Sequence, residues 1–392
     1  MGQRVVIASG CRTAIGTFGG ALSNMAAPDI AAIVIKEAMS RAGVTPNQIE
    51  EVFIGNVFQA GVGANPARQA AMNAGIPMEV PATTVNVLCG SGLHSINLAS
   101  KLIASGDIDI AIAGGMECMS KVPYLVPNGR FGYRMGNAQI VDSMLRDGLN
   151  DAFYGYHMGM TAENICDQWK LTRDELDEFA AWSQQKTEKA IADGKFKEEI
   201  VPIEIKSKKG TVIFDTDEGP RAGVTKESLS KLRPAFKEGG MVTAGNASGI
   251  NDAAAAVVLM SEEKAKELGV DPLGYWVYGA LAGCDPRIMG IGPVPSTNKV
   301  MKKCGYTIDD FELIEANEAF AAQSIAVARD LHFDMEKVNV NGGAIALGHP
   351  VGCTGARIVV SLLHEMRRRD LHKGLATLCV GGGMGCSAII ER

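Results

Sequence analysis

TVNVLCGSG (84–92) reads as the end of a buried strand, a thiol, and a helix that starts among small residues. KVNVNGGA (337–344) has the same form, a strand and a glycine turn followed by a helix. The surroundings repeat as well. Gly43-Val44-Thr45 follows a helix, enters a strand and reaches Asn56. Gly305-Tyr306-Thr307 does the same and reaches Asn317. DIAIAGGMECMS (109–120) is echoed by LATLCVGGGMGCS (375–387). The repeat spacing of roughly 255 residues implies two copies of one α/β unit, because a solenoid repeats every 20–50 residues or so.

Outward from these stretches, strand-like and helix-like segments alternate. RVVIAS (4–9), EEVFIGNV (50–57), ATTVNVL (82–88) and DIDIAIAGG (107–115) read as strands. DIAAIVIKEAMSRAG (29–43) reads as an amphipathic helix stopped by Gly43, and SGLHSINLASKLIASG (91–106) as another, with Leu93, Ile96, Ser100 and Ile103 on one face. The alternation is that of an α/β layered fold. Residues 120–249 differ in texture. KVPYLVPNGRFGYRMGN (121–137) is rich in Gly, Pro, Arg and Tyr, and SKKGTVIFDTDEGPRAG (207–223) is charged and turn-like. Between them Thr172 and Glu175 form a capping box that opens a helix ended by Gly194. The expected organisation is a first α/β domain of residues 1–119 plus 250–270, an inserted loop or cap domain at 120–249, and a second α/β domain at 271–392.

The chain has 392 residues, 46% hydrophobic and 21% charged, and a net charge of -6. That is ample for more than one core, and it argues against a general nucleic-acid binder, which carries a basic face. The nine cysteines are scattered and include no Cys-x-x-Cys pair. They form neither a disulfide framework nor a structural zinc site, so reduced thiols in the cytoplasm are expected. The opening MGQRVVIASG enters a strand directly, so no secretory signal is expected. The longest apolar run, AAAAVVLM (253–260), is too short for a bilayer, which needs about 20 residues.

Four stretches gather reactive side chains beside glycines. Cys89, between a strand end and a helix start, reads as a buried small hydrophobe, a metal ligand or a nucleophile; the helix N-terminus would lower its pKa. NVNGGAIALGHPVGCTGAR (339–357) displays His349 in a turn before Pro350, a position suited to a base or an oxyanion donor. His349 with Cys353 would make half a metal site, but no second half lies at suitable spacing. LCVGGGMG (378–385) ends a strand at Cys379 and offers several N–H groups to an oxyanion; it lacks the ending of a phosphate-binding P-loop. In EANEAFAAQS (315–324) Asn317 is either a helix N-cap or an amide that holds a water or a carbonyl. All four lie at strand ends, which in an open α/β sheet point into the ligand crevice.

Together these stretches resemble the active-site blocks of the thiolase family, and within it the short-chain acetyl-CoA C-acetyltransferases. NPARQA (65–70), YHMGMTAEN (156–164) and TAGNASGINDAAAA (243–256) extend the resemblance along the chain. It implies a duplicated unit in five αβαβα layers with a loop domain over coenzyme A, and a homotetramer formed through a loop like that at 121–137. It implies acetyl-CoA, acetoacetyl-CoA and CoA as substrates, with no tightly bound cofactor, metal, nucleic acid or membrane partner. Cys89 would be the acylated nucleophile, His349 its activator, and Cys379 the base for the second acetyl-CoA. Asn317 would position a water, and the N–H groups of Cys89 and Gly381 would form an oxyanion hole. CoA would lie near Leu149, His157, Met158, Arg221 and Phe236, with Ala244, Ser248, Ala319 and Phe320 nearby and Met289 narrowing the acyl pocket. Cys353 and Thr354 depart from the Ala-Ser of many members without touching these roles, and Cys386 would add an oxidisable thiol. Competing expectations are a longer-chain 3-ketoacyl-CoA thiolase, a non-catalytic thiolase-like binding protein, and a decarboxylating condensing enzyme, which would not need a thiol at 379.

Overall fold

The computed structural model describes residues 2–207 and 210–392; Met1, and Lys208 and Lys209 of the 207–223 stretch, lie outside the described residues. Nine strands carry the architecture: β1 (Val5–Thr13), β2 (Glu51–Gly55), β3 (Ala82–Val85), β4 (Ile110–Cys118), β5 (Asn251–Ser261), β6 (Gly274–Gly283), β7 (Leu313–Ala316), β8 (Lys373–Val380) and β9 (Met384–Glu391). Their hydrogen-bonded order is β7-β8-β9-β6-β1-β5-β4-β2-β3, with Gly16–Thr17 and Ile200–Val201 pairing at the side. The first half runs from β3 to β1 and the second from β6 to β7. The halves meet where Val5 to Ile7 pair antiparallel with Trp276 to Gly274.

The helices set the layers: α1 (Ala27–Ala42), α2 (Ser91–Ser105), α3 (Met158–Trp169), α4 (Arg173–Ala192), α5 (Pro293–Cys304), α6 (Ala321–Leu331) and α7 (Val351–Arg369). α1 covers one face of the first half, against β1, β4 and β5. α5 covers the far face of the second half, against β6, β8 and β9. α2 and α7 pack on each other and touch strands of both halves. The result is the five-layer αβαβα arrangement. α1 follows the sequence signals: Pro28 in its first turn, and Gly43 at φ 67° closing it.

Close approach in the middle dictates small side chains. β4 and β5 are buried along their whole length. The run Ala253 to Ala256 pairs with Gly114 to Glu117. A Cβ on Gly114 would strike the Ala255 carbonyl, and one on Gly92 of α2 would lie 2.7 Å from the Ala356 amide nitrogen of α7.

Three details differ from the sequence reading. β3 stops at Val85 and not at 88, because Leu88 turns to φ 50°. The chain does not finish its sheet at Cys379; after Gly381–Gly383 it turns back as β9. Part of 207–223 is strand, since Gly210 to Phe214 pair with Ser207 to Ile203. No helix among the described residues is long and apolar enough to cross a membrane.

Candidate active site

Cys89 sits on a strained turn. A left-handed conformation at Leu88 costs an L-residue about 1–2 kcal/mol. Hydrogen bonds hold it there. Asn86 Oδ1 accepts from the Leu88 N–H at 3.0 Å, and Ser91 Oγ accepts from the Val87 N–H at 3.0 Å while donating to the Leu88 carbonyl at 2.6 Å. Gly90 then caps α2. The backbone N–H groups of Gly381 and of Cys89 itself favour the thiolate and oppose the effect of burial. Burial still dominates and pushes the thiol up to about 11, with the charge of Glu117 adding to it. The helix N-terminus does not leave a low-pKa thiolate, as the sequence suggested, because desolvation outweighs the local N–H groups.

His349 comes from the other half. Its backbone N–H donates to Asn251 Oδ1 at 3.0 Å, which fixes the turn ahead of α7. Thr354 Oγ1 donates to the Pro350 carbonyl at 2.9 Å and lies 2.7 Å from His349 Nδ1. The hydroxyl has one proton and spends it on the carbonyl, so Nδ1–H donates to Thr354 and Nε2 keeps a free lone pair. His349 Nε2 is buried with no hydrogen-bond partner among the described residues. Burial, then the charge of Arg357, pulls the imidazole down to about 3, which keeps it neutral. Thr354 therefore does bear on a site residue, contrary to the sequence reading. Cys353 and Cys386 are fully buried in the core.

Cys379 lies on β8, opposite Gly385 of β9. It is fully buried. Burial raises it well above its ordinary value, followed by the charges of Cys89 and Cys284, so the two sulfurs of the halves lie in each other's field. Asn317 is not the cap of α6, whose N-cap is Phe320. Its backbone is pinned by Thr377 and Gln323, and both atoms of its side-chain amide are buried without a partner among the described residues.

One cavity of about 470 Å³ brings Cys89, His349 and Gly381 together. Its walls include the predicted Leu149, His157 and Met158, then Phe236, Ala244 and Ser248, then Met289, Ala319 and Phe320. His157 stacks on Phe236 at 4.6 Å, and Phe236 meets Phe320 edge-on at 6.2 Å. The His157 ring also caps α3 through the Gly159 N–H, and burial holds its pKa down. Cys379 and Asn317 do not line this cavity. Arg221 lines a neighbouring one of about 480 Å³, which shares Phe18, Ala244, Ala247, Gly249 and Ile250 with the first. Met119, Val351 and Ile250 also line the site and were not picked out from sequence. Val351 and Ile250 stand two residues from His349 and Ser248, and Met119 lies within the repeated 109–120 stretch, which is the signal that could have found them. Among the described residues no group of three or more His, Cys, Asp or Glu is placed to hold a metal ion.

The family model for the N-terminal thiolase domain matches residues 5–263, and that for the C-terminal thiolase domain matches 270–392. The chain belongs to the thiolase family. This thiolase is 57% identical to the acetyl-CoA acetyltransferase of Syntrophomonas wolfei, with all of both chains covered. It superimposes on the crystal structure of the Bacillus anthracis acetyl-CoA acetyltransferase with a TM-score of 0.97 and 48% identity, covering 100% of this chain and 99% of that one. The human mitochondrial 3-ketoacyl-CoA thiolase gives the same TM-score, at 43% identity and the same coverage.

Proposed function

We propose that this thiolase is an acetyl-CoA C-acetyltransferase, which condenses two acetyl-CoA into acetoacetyl-CoA and CoA and, by the same machinery run backwards, catalyses thiolysis. The observation that carries the reading is the convergence on one cavity of a thiol from one half with a neutral, unpartnered imidazole nitrogen and a backbone N–H from the other. That set suits acyl transfer through a thioester.

In the first half-reaction the Cys89 proton passes to His349 Nε2 as the sulfur attacks the thioester carbonyl. The N–H groups of Cys89 and Gly381, both on the wall of the cavity, receive the oxyanion. The C–S bond to CoA breaks, and the departing CoA thiolate takes the proton of Cys379. In the second half-reaction the Cys379 thiolate removes an α-proton from a second acetyl-CoA. The enolate oxygen is held by protonated His349 and by a water on the Asn317 amide. The carbanion attacks the acetyl group, Cys89 leaves as a thiolate, and His349 returns its proton. Two steps through a covalent intermediate replace one difficult step. The high pKa values of both thiols fit this scheme, since each gives up its proton only as bonding proceeds.

The pantetheine arm would run along Ser248, Ala319 and Phe320, and the nucleotide would fill the adjoining cavity at Arg221, a suitable phosphate partner. Met158, Met289 and the stacked His157–Phe236 pair leave room for a short acyl group. The similarity to the human 3-ketoacyl-CoA thiolase keeps longer chains as the second reading. The separating assay is kcat/KM for thiolysis of acetoacetyl-CoA against 3-ketooctanoyl-CoA. The proposal expects the four-carbon substrate to win by at least about tenfold, a difference of some 1.4 kcal/mol at the transition state. Parity or a reversed order would favour the longer-chain reading.

A homotetramer in the cytoplasm completes the proposal. Among the described residues β3 pairs with β2 alone and leaves an open edge on which a second copy would continue the sheet. Phe131 and Met135 are 93% and 97% exposed on the 121–137 loop, apolar surface that suits a further subunit contact.

A further inference from the structure

The duplicated halves do not use equivalent positions alike. Gly55 pairs with Gly115 in the first half, and Ala316 with Thr377 in the second. Asn56 and Asn317 follow directly, so Glu117 and Cys379, two residues along the partner strands, are counterparts. Cys89 and His349 likewise stand two residues before the middle-layer helices α2 and α7. Four of these six residues have a part in the reaction proposed above. Asn56 and Glu117 do not.

Glu117 is fully buried and collects four N–H donors. Asn56 Nδ2 lies at 2.7 Å, the Val57 N–H at 3.0 Å, the Phe58 N–H at 3.2 Å and the Gly352 N–H at 2.9 Å. The first three come from the turn after β2. The fourth comes from the first turn of α7, three residues past His349. Val57, Phe58 and Val351 join Met119 and Met144 in one apolar cluster, and Leu88, Cys89 and Leu149 pack against it. The carboxylate thus joins the turn carrying His349 to the floor beneath Cys89.

We infer that Glu117 is a positioning residue, whose ionised carboxylate fastens the His349 turn across the two halves. All four partners are donors, so only the acceptor-only ionised form satisfies them. The inference rests on the proposed acyl transfer, because it acts through His349. The titratable groups whose charges couple to Glu117 are Asp252 on the adjacent β5, Cys89 ahead of α2, and Cys353 in α7. Asp252 is itself held by the Ser120 N–H and hydroxyl. None of these neighbours is a cation. Burial, opposed by the N–H donors and reinforced by Asp252, raises Glu117 to about 7. Protonation near neutrality releases the Gly352 N–H, whereas His349 and both catalytic thiols titrate far from that range.

The test is thiolysis of acetoacetyl-CoA between about pH 5.5 and 8.5 by the wild type, Glu117→Gln and Glu117→Asp, with thermal midpoints and iodoacetamide alkylation of Cys89 alongside. The wild type is expected to lose kcat/KM below about pH 7. Glu117→Gln is expected to lose kcat by about 10–100-fold, the usual scale for a supporting carboxylate, with KM little changed and the acid limb gone. Its Cys89 should alkylate faster, since a negative charge beside the sulfur has been removed. Glu117→Asp should recover part of kcat and restore the limb. Wild-type kcat in Glu117→Gln, or a lowered kcat with the acid limb intact, overturns the inference. A flat wild-type profile overturns it even if neither variant folds. Acetylation of wild-type Cys89 by acetyl-CoA is the control: its absence contradicts acyl transfer, and its presence with an unaltered Glu117→Gln profile contradicts only the role of Glu117.

Discussion

A thiol that attacks must first lose its proton, and the surroundings of Cys89 make that costly in the resting protein. With the thiol pushed up to about 11, its thiolate fraction at neutral pH is small. Inactivation by iodoacetamide should therefore rise about tenfold per pH unit from pH 7 to 10, as the thiolate does; a plateau below pH 8 would contradict this. In the proposed reaction His349 supplies the base only if Nε2 is the bare nitrogen, which the Thr354 hydroxyl favours by giving its proton to the Pro350 carbonyl. Thr354→Val should leave Nδ1–H without an acceptor, cost about 1–3 kcal/mol of stability, and lower kcat with little change in KM. Thr354→Ser should restore both; equal damage in Ser and Val would show that volume, not the hydroxyl, matters. Glycines beside Cys89, His349 and Cys379 marked these residues as candidates in the sequence, and the structure brings the first two to one cavity. Their protonation was not, because burial is a tertiary property and here it reverses the effect expected of a helix N-terminus.

At the scale of elements, the two helices carrying Cys89 and His349 at their N-termini cross through glycines. A Cβ on Gly355 would collide with the Leu93 amide. Gly355→Ala should push α2 from α7, cost about 1–3 kcal/mol as an overpacked core does, and lower kcat more than a surface change of equal destabilisation. A calorimetric midpoint and kcat measured together check it; an unchanged midpoint would mean that the crossing is loose. Local chemistry announced many boundaries. The Thr172–Glu175 box opens α4 as read, and Gly43 closes α1. Where the reading failed, a tertiary cause is visible. β3 ends early because the strained Leu88 turn is held by Asn86 and Ser91. β9 was missed because its hairpin is built from the glycines Gly381 to Gly383, which in sequence resemble an open loop.

At the scale of the molecule, duplication explains why the site needs the whole chain. The first half brings Cys89 and the second brings His349, and the N-terminal ends of α2 and α7 set these two on one cavity. The echoes between halves revealed the two units; the inter-half hydrogen bonds, such as Gly352 to Glu117, left no periodic trace to read. The exposed Phe131 and Met135 predict that the double Ser substitution reduces the assembly, measured by light scattering, while activity per chain persists; an unchanged mass would remove that loop from the contact. The central claim is that Cys89 carries the acetyl group. Mass spectrometry of the intact protein after mixing with acetyl-CoA tests it directly. The wild type should gain the mass of one acetyl group, mapped to the Cys89 peptide, and Cys89→Ala should gain none. An acetyl adduct that persists in Cys89→Ala, or a wild type that gains no mass, would contradict the account.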